Sequence, residues 1–138
     1  GYGASKAAAS IGALAMAKHY DFNLTILRPF HIYGPGQYHE NFWPSLRKAA
    51  LSGKNFSMTL GEQVRDFTPV NDVAKEFVSE LQSSKSEMPN IRNLGTGKPQ
   101  TLAEFAKYWW EYWNASGNLL IGEESYRPNE VMRYVPEL

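Results

Sequence analysis

Cysteine is absent from the chain, which excludes disulfides and thiolate-bound metal and fits a cytoplasmic enzyme. Lys and Arg balance Asp and Glu at 14 each, with no basic cluster, so nothing here tracks a nucleic-acid backbone. No apolar run is long enough to cross a membrane, and no signal-peptide layout is present. Also missing is any Gly-x-Gly-x-x-Gly or Gly-x-x-Gly-x-x-Gly turn between a strand and a helix, the feature that seats a dinucleotide pyrophosphate. Asn23, Asn55 and Asn114 each open an Asn-x-Ser/Thr triplet. Without a secretion signal, chance accounts for them.

What remains is 138 residues, room for one domain with a real core. Aromatic residues make up 14% of it, many of them in the second half. The chain opens on Gly1-Tyr2-Gly3-Ala4-Ser5-Lys6 and an alanine-rich stretch in which Ala7, Ala8, Ile11, Leu14 and Ala15 recur at helical spacing. Tyr2 and Lys6 therefore lie one turn apart on one face. A fixed ammonium beside a phenol favours the phenolate, which can take and return a proton. Tyr and Lys four apart on a helix also arise by chance.

Further along, Leu24 to Leu27 reads as a buried strand that Pro29 ends, followed by a loop through Gly36. Asn41 to Leu51 reads as a helix with Phe42, Leu46 and Ala49 or Ala50 inward, stopped by Gly53. Phe56 to Leu60 and Val64 to Val70 read as two strands around the tight turn Gly61-Glu62-Gln63. Asp72 suits the start of the next helix, whose stripe is Val73, Phe77 and Leu81. Residues 83–90 read as a surface loop, and Ile91 to Leu94 as a strand entering Gly95-Thr96-Gly97. That turn is a poor phosphate loop, because the next helix starts only at the capping box Thr101-Leu102-Ala103-Glu104. The helix from Leu102 to about Asn114 carries Phe105, Ala106, Trp109 and Trp113 on one side. Trp110 lies off that stripe and is expected to need cover from a partner or from chain outside this sequence. Leu119 to Ile121 is the last strand-like run.

Tyr-Gly-Ala-Ser-Lys before a small-residue helix resembles the active-site segment of the short-chain dehydrogenase/reductase superfamily. Leu27-Arg28-Pro29-Phe30-His31-Ile32-Tyr33-Gly34-Pro35-Gly36-Gln37 and Val64-Arg65-Asp66-Phe67-Thr68-Pro69-Val70-Asn71-Asp72-Val73-Ala74 resemble two later landmarks of its extended branch. That branch holds the NAD-dependent nucleotide-sugar epimerases, dehydratases and reductases, and the resemblance covers nearly all of the chain.

The resemblance implies an α/β fold: the C-terminal part of a Rossmann-type parallel sheet plus a small α/β substrate-binding lobe. Residues 1–138 would form the C-terminal fragment of such an enzyme, the dinucleotide-binding half lying upstream. An opening inside a helix without Met, and a stop at Leu138 before the family's final helical segment, fit that expectation. It further implies that Tyr2 and Lys6 are catalytic, that both with Phe30 and His31 lie by the nicotinamide of NAD or NADP, and that the intact protein is a homodimer paired through its first helix. His31 reads equally as a loop histidine bonded to a backbone carbonyl. The nucleotide-diphosphate sugar would meet Asn41 (otherwise a simple N-cap), Ser57, Met58 and Thr59 along the base, and Arg65 on the diphosphate. A guanidinium's paired donors suit a diphosphate; the plain alternative for Arg65 is an ion pair with Asp66 or Asp72. Tyr126-Arg127-Pro128-Asn129-Glu130-Val131 resembles the family's late Arg-Pro-x-Asp/Glu element. Arg127 would be the second diphosphate clamp, Glu130 would bind a ribose or sugar hydroxyl, and Tyr134 completes the set. Apart from the family, Arg127 and Glu130 are an ordinary exposed pair. The rival to an enzyme is a non-catalytic nucleotide-sugar-binding or dimerisation fragment.

Overall fold

A computed structural model describes residues 1–82 and 89–138; most of the surface loop expected at 83–90 lies outside them. Among the described residues the helices are α1 (Tyr2–Tyr20), α2 (Phe42–Leu51), α3 (Val70–Gln82) and α4 (Leu102–Tyr112). The strands are β1 (Thr25–Pro29), β2 (Ile32–Tyr33), β3 (Phe56–Met58), β4 (Val64–Arg65), β5 (Thr68–Pro69), β6 (Asn90–Leu94), β7 (Gln100–Thr101), β8 (Leu119–Ile121) and β9 (Arg133–Tyr134). The α/β class and its parallel pairing are as the sequence implies.

Strand β1 pairs in parallel with β6, Ile26 opposite Ile91 and Pro29 opposite Leu94, and α3 lies between them in the chain and packs on β1. This is the strand–helix–strand crossover of a Rossmann-type sheet. Pro29 occupies the last position of β1, where a missing N–H does least harm. The chain after it is not all loop, because Ile32 and Tyr33 pair in parallel with Thr68 and Pro69.

The second lobe is built from α2, α4 and the parallel pair β3 and β8. Its core is Leu46, Ala49 and Ala50 from α2, Met58 from β3, and Ala106 and Trp110 from α4. Helix α4 starts on a complete capping box: Thr101 Oγ1 accepts from Glu104 N at 3.1 Å, and Glu104 Oε2 accepts from Thr101 N at 2.7 Å.

Several expectations are corrected. Phe56–Leu60 and Val64–Val70 do not form a hairpin. Strand β3 pairs with β8, whereas β4 lies between antiparallel β7 and parallel β9. The turn at Gly61 passes the chain from one sheet to another, held by Ala103 N donating to Gly61 O at 2.9 Å. Gly61 has φ of 70°, and a Cβ there would stand 2.8 Å from Ala103 N and from Met58 Cε; this packing requires glycine. Trp110 needs no outside cover, being 8% exposed. Phe56 packs on its ring, and its Nε1 donates to Gly117 O at 3.2 Å. On α3 only Val73 of the expected stripe is buried; Phe77 and Leu81 are exposed. Helix α1 buries Ala17 alone.

Candidate functional site

A cleft of about 680 Å³ opens between the two lobes' connecting strands and the segment after β8. Five stretches far apart in sequence form its wall. His31 comes from the loop leaving β1, Asn41 from the start of α2, Ser57, Met58 and Thr59 from β3 and its end, Arg65 from β4, and Arg127 and Glu130 from the segment after β8. Each is a site residue expected from the sequence. Asn41 holds the N-cap position of α2 without a side-chain capping bond, leaving its amide to face the cleft.

Arg65 is 8% exposed and its guanidinium is engaged. Nη1 donates to Val64 O at 2.9 Å, while Nη2 donates to Glu130 Oε1 at 3.2 Å and to Val131 O. Its ionic partner is thus Glu130 rather than Asp66 or Asp72, and Glu130 does not pair with Arg127. Asp66 is turned away to the Gly95–Gly97 turn, and Asp72 bonds Lys75 at 2.9 Å on the first turn of α3. Among the described residues Arg127 makes no ion pair, so the cleft holds one fixed guanidinium and one free.

The segment carrying Arg127 and Glu130 is pinned at several points. Tyr126 Oη accepts from Glu62 N and donates to Glu62 Oε2, both at 3.1 Å. Ser57 Oγ donates to Glu123 Oε2 at 3.1 Å, and Glu124 N donates to Met58 O at 3.2 Å. Val64 N donates to Met132 O, the bond that starts β9. Strand pairing and these straps preorganise the wall before any ligand arrives.

His31 sits at φ of 34°, a left-handed conformation uncommon outside glycine and found at functional loops. Its ring stacks on Phe67 at 5.8 Å and makes no bond to a carbonyl among the described residues. Partial enclosure first, and the Arg65 charge second, hold its imidazole below the ordinary histidine range. Phe30 and Tyr134 do not line the cleft; they stack on each other at 4.9 Å behind His31, with Tyr134 edge-on to the imidazole at 6.0 Å.

Tyr2 and Lys6 also stand outside this wall, on the amino end of α1. Tyr2 is 79% exposed, and Lys6 Nζ lies 5.6 Å from the centroid of its ring. The expected side-by-side placement holds, and the phenol oxygen is open rather than packed in apolar surroundings.

Sequence reading missed several wall residues. Tyr33, Trp43, Phe67 and Phe105 supply an aromatic floor, with Tyr33 perpendicular to Phe105 at 5.0 Å and Phe67 stacked on it at 3.9 Å. Burial, then the nearby Tyr108 and Asp72, raise the Tyr33 hydroxyl above its ordinary value. Gln37 and Gln63 are also in the wall. Gln63 had a signal: it shares a face with Arg65 two residues later.

The sequence model of the NAD dependent epimerase/dehydratase family matches residues 1–95. CDP-abequose synthase of Salmonella typhimurium is 30% identical over 121 residues, covering 84% of this chain and 40% of that protein. Human dTDP-D-glucose 4,6-dehydratase is 31% identical over 113 residues, covering 77% of this chain and 30% of that enzyme. The structure of MoeE5 in complex with UDP-glucuronic acid and NAD superposes with a TM-score of 0.81 at 29% identity, over 98% of this chain and 46% of that one. The chain thus spans less than half the length of each of these relatives. This chain belongs to the NAD-dependent epimerase/dehydratase family.

Proposed function

We propose that the protein of which these residues are part is an NAD(P)-dependent nucleotide-sugar epimerase, dehydratase or reductase, and that this chain supplies its proton-transfer pair and its substrate cleft. The observation that carries the reading is the convergence of Asn41, the 57–59 strand, Arg65, Arg127 and Glu130 on one cleft beside His31. A nucleoside diphosphate needs a groove for the base, cations for the phosphates and a hydrogen-bonding acid for a hydroxyl. In this reading the edge of β3 takes the base, the two guanidiniums take the phosphates, and Glu130 takes the hydroxyl.

Of the cofactor's binding residues, this chain offers those for the nicotinamide end. Tyr2 and Lys6 stand side by side and exposed, with Lys6 in no ion pair among the described residues, an arrangement that leaves donors for a ribose. In this reading Phe30 and His31 also lie by the nicotinamide. Bound NAD(P) supplies the hydride acceptor. Tyr2 takes the proton from a sugar hydroxyl, at C4 in this reading, as the C–H bond on that carbon yields its hydride. Lys6 stabilises the phenolate by its charge and holds the nicotinamide ribose. Arg65, Arg127 and Asn41 grip the diphosphate, so that binding energy remote from the reacting carbon positions it. Tyr134 backs His31, and Glu130 takes a ribose or sugar hydroxyl. A homodimer through the small-residue face of α1 completes the proposal. The exposure of α1 beyond Ala17 supports it.

Tyr2→Phe in the full-length protein tests the assignment. Turnover of UDP-, CDP- or dTDP-hexose falls by at least about a thousandfold, while the Kd for the nucleotide sugar stays within about threefold. Near-normal turnover would remove Tyr2 from the chemistry. Nucleotide-sugar binding with no NAD-linked chemistry in the wild-type protein would favour the non-catalytic binding reading.

A further inference from the structure

Buried polar atoms without a partner are rare in folded proteins, and each one asks for a reason. Within the cleft wall three residues carry such an atom: Gln37 Oε1, Trp43 Nε1 and Gln63 Oε1. Two of the three have partial answers. Trp43 stands perpendicular to Trp109 at 5.6 Å, within an aromatic cluster whose ring faces are weak acceptors for an indole N–H. Gln37 is tied down by its other amide atom, Nε2 donating to Ile32 O at 3.3 Å. Gln63 has neither remedy. It is 6% exposed, and among the described residues its side chain makes no hydrogen bond at all.

The backbone around Gln63 is nevertheless fixed. Its carbonyl accepts from Leu102 N at 2.9 Å, and Gly61 O accepts from Ala103 N at 2.9 Å, so α4's first turn clamps both sides of the position. Such rigidity is what a recognition residue requires, and an unmet amide is what a recognition residue looks like without its ligand. The closest cation in sequence, Arg65, directs its Nη groups to Val64 O, Val131 O and Glu130 rather than to Gln63.

Position along the cleft identifies the ligand part. Residues 63, 65 and 67 all line it. Phe67 stacks on His31 at one end. Gly61, two residues before Gln63, packs against Met58 of the strand proposed to run along the base. Arg65 lies between these ends, so Gln63 is on the nucleoside side of the diphosphate clamp. We propose that the Gln63 amide reads the nucleoside of the bound sugar nucleotide, hydrogen-bonding either a ribose hydroxyl or the N3–H/C4=O edge of the pyrimidine. This deepens the substrate reading above and rests on it. The terminal torsion of a glutamine is broad and nearly two-fold, so the amide can turn to face either group.

The test is calorimetric titration of the full-length protein and its Gln63→Met variant with UDP, 2′-deoxy-UDP, 3′-deoxy-UDP and N3-methyl-UDP, with thermal melting of both ligand-free proteins. Methionine keeps the length and removes the polar atoms. Binding of UDP should weaken roughly 10- to 100-fold. Wild-type protein should discriminate against one altered probe by a similar factor, and Gln63→Met should lose that discrimination. A deoxy probe identifies the ribose, the N-methyl probe the base. Because an unpartnered amide is removed, the ligand-free variant should melt no lower than wild type. A glutamine that merely supports the fold would lower the melting temperature instead, and that result overturns the proposal. So does UDP affinity unchanged by the substitution, or an equal loss for all four probes. If the wild-type protein binds none of UDP, CDP or dTDP, the reading of the cleft itself fails, and this proposal with it.

Discussion

Asp66 neighbours the proposed phosphate-binding arginine, yet its carboxylate does a different job. It is fully buried. Oδ1 accepts from Thr96 N at 2.9 Å and from Thr96 Oγ1 at 2.5 Å, and Oδ2 accepts from Gly97 N at 2.8 Å. One side chain thus ties the chain just after β4 to the turn that follows β6, thirty residues later in sequence. The turn has no room for anything else: a Cβ on Gly95 would lie 2.6 Å from Asp66 Oδ2. Removing the carboxylate by Asp66→Ala deletes two charge-assisted hydrogen bonds from backbone N–H groups, each contributing about 1.5–3 kcal/mol, while the threonine hydroxyl can rotate toward another partner. The expected loss is roughly 3–5 kcal/mol, a large share of a domain's typical stability of about 5–15 kcal/mol. Asp66→Asn keeps the shape but turns one acceptor into a donor facing an N–H, and should cost about 2 kcal/mol. Asp72→Ala is the control: an exposed carboxylate paired with Lys75, worth under about 1 kcal/mol. Urea unfolding followed by circular dichroism, with the slope of the transition checked for constancy, reads all three. An Asp66→Ala loss below about 1 kcal/mol would refute the reasoning, since it would mean that the turn finds its acceptors elsewhere.

Two further outcomes follow from the same geometry. Gly61→Ala forces a side chain into Ala103 and Met58 at a positive φ, so it should lower stability by about 2 kcal/mol or more and weaken nucleotide binding by displacing the 57–59 strand; a fully stable variant with unaltered binding contradicts the packing described. His31 titrates below the ordinary histidine value because of enclosure and the Arg65 charge. With a lowered value the unfolded chain binds the proton first, so the contribution of His31 to stability is intact above the ordinary histidine value and declines as pH falls below it. Neutralising Arg65, by Arg65→Gln or by a bound diphosphate, should move the His31 titration upward. Proton NMR of the His31 ring with and without UDP measures it, and no movement on either change would discount the coupling.

Much of this architecture was legible locally. Thr101 and Glu104 announce the start of α4, Pro29 the end of β1, and Asp72 the first turn of α3, because caps and breakers act over a few residues. The misread parts depend on partners distant in sequence. Gly61-Glu62-Gln63 has the chemistry of a hairpin turn, but β3 is claimed by β8 and β4 by β7 and β9, and periodicity does not record which strands meet. Trp110 looked exposed on a helical wheel and is buried because Phe56 and the turn at Gly117 close over it. The site was legible chiefly through the Arg65 and Arg127 landmarks. The Arg65–Glu130 pairing, the aromatic floor and the unpartnered Gln63 amide appear only once the chain is folded.

The central claim is that the cleft's two guanidiniums, one held by Glu130 and one free, receive a diphosphate. Calorimetric titration of the full-length protein with UDP, in parallel with Arg65→Gln and Arg127→Gln, tests it most directly. Each substitution should weaken binding by at least about tenfold, and the double variant by at least about a hundredfold, since charge-assisted bonds to phosphate contribute roughly 1.5–3 kcal/mol each. UDP bound equally well by all four proteins would contradict the account.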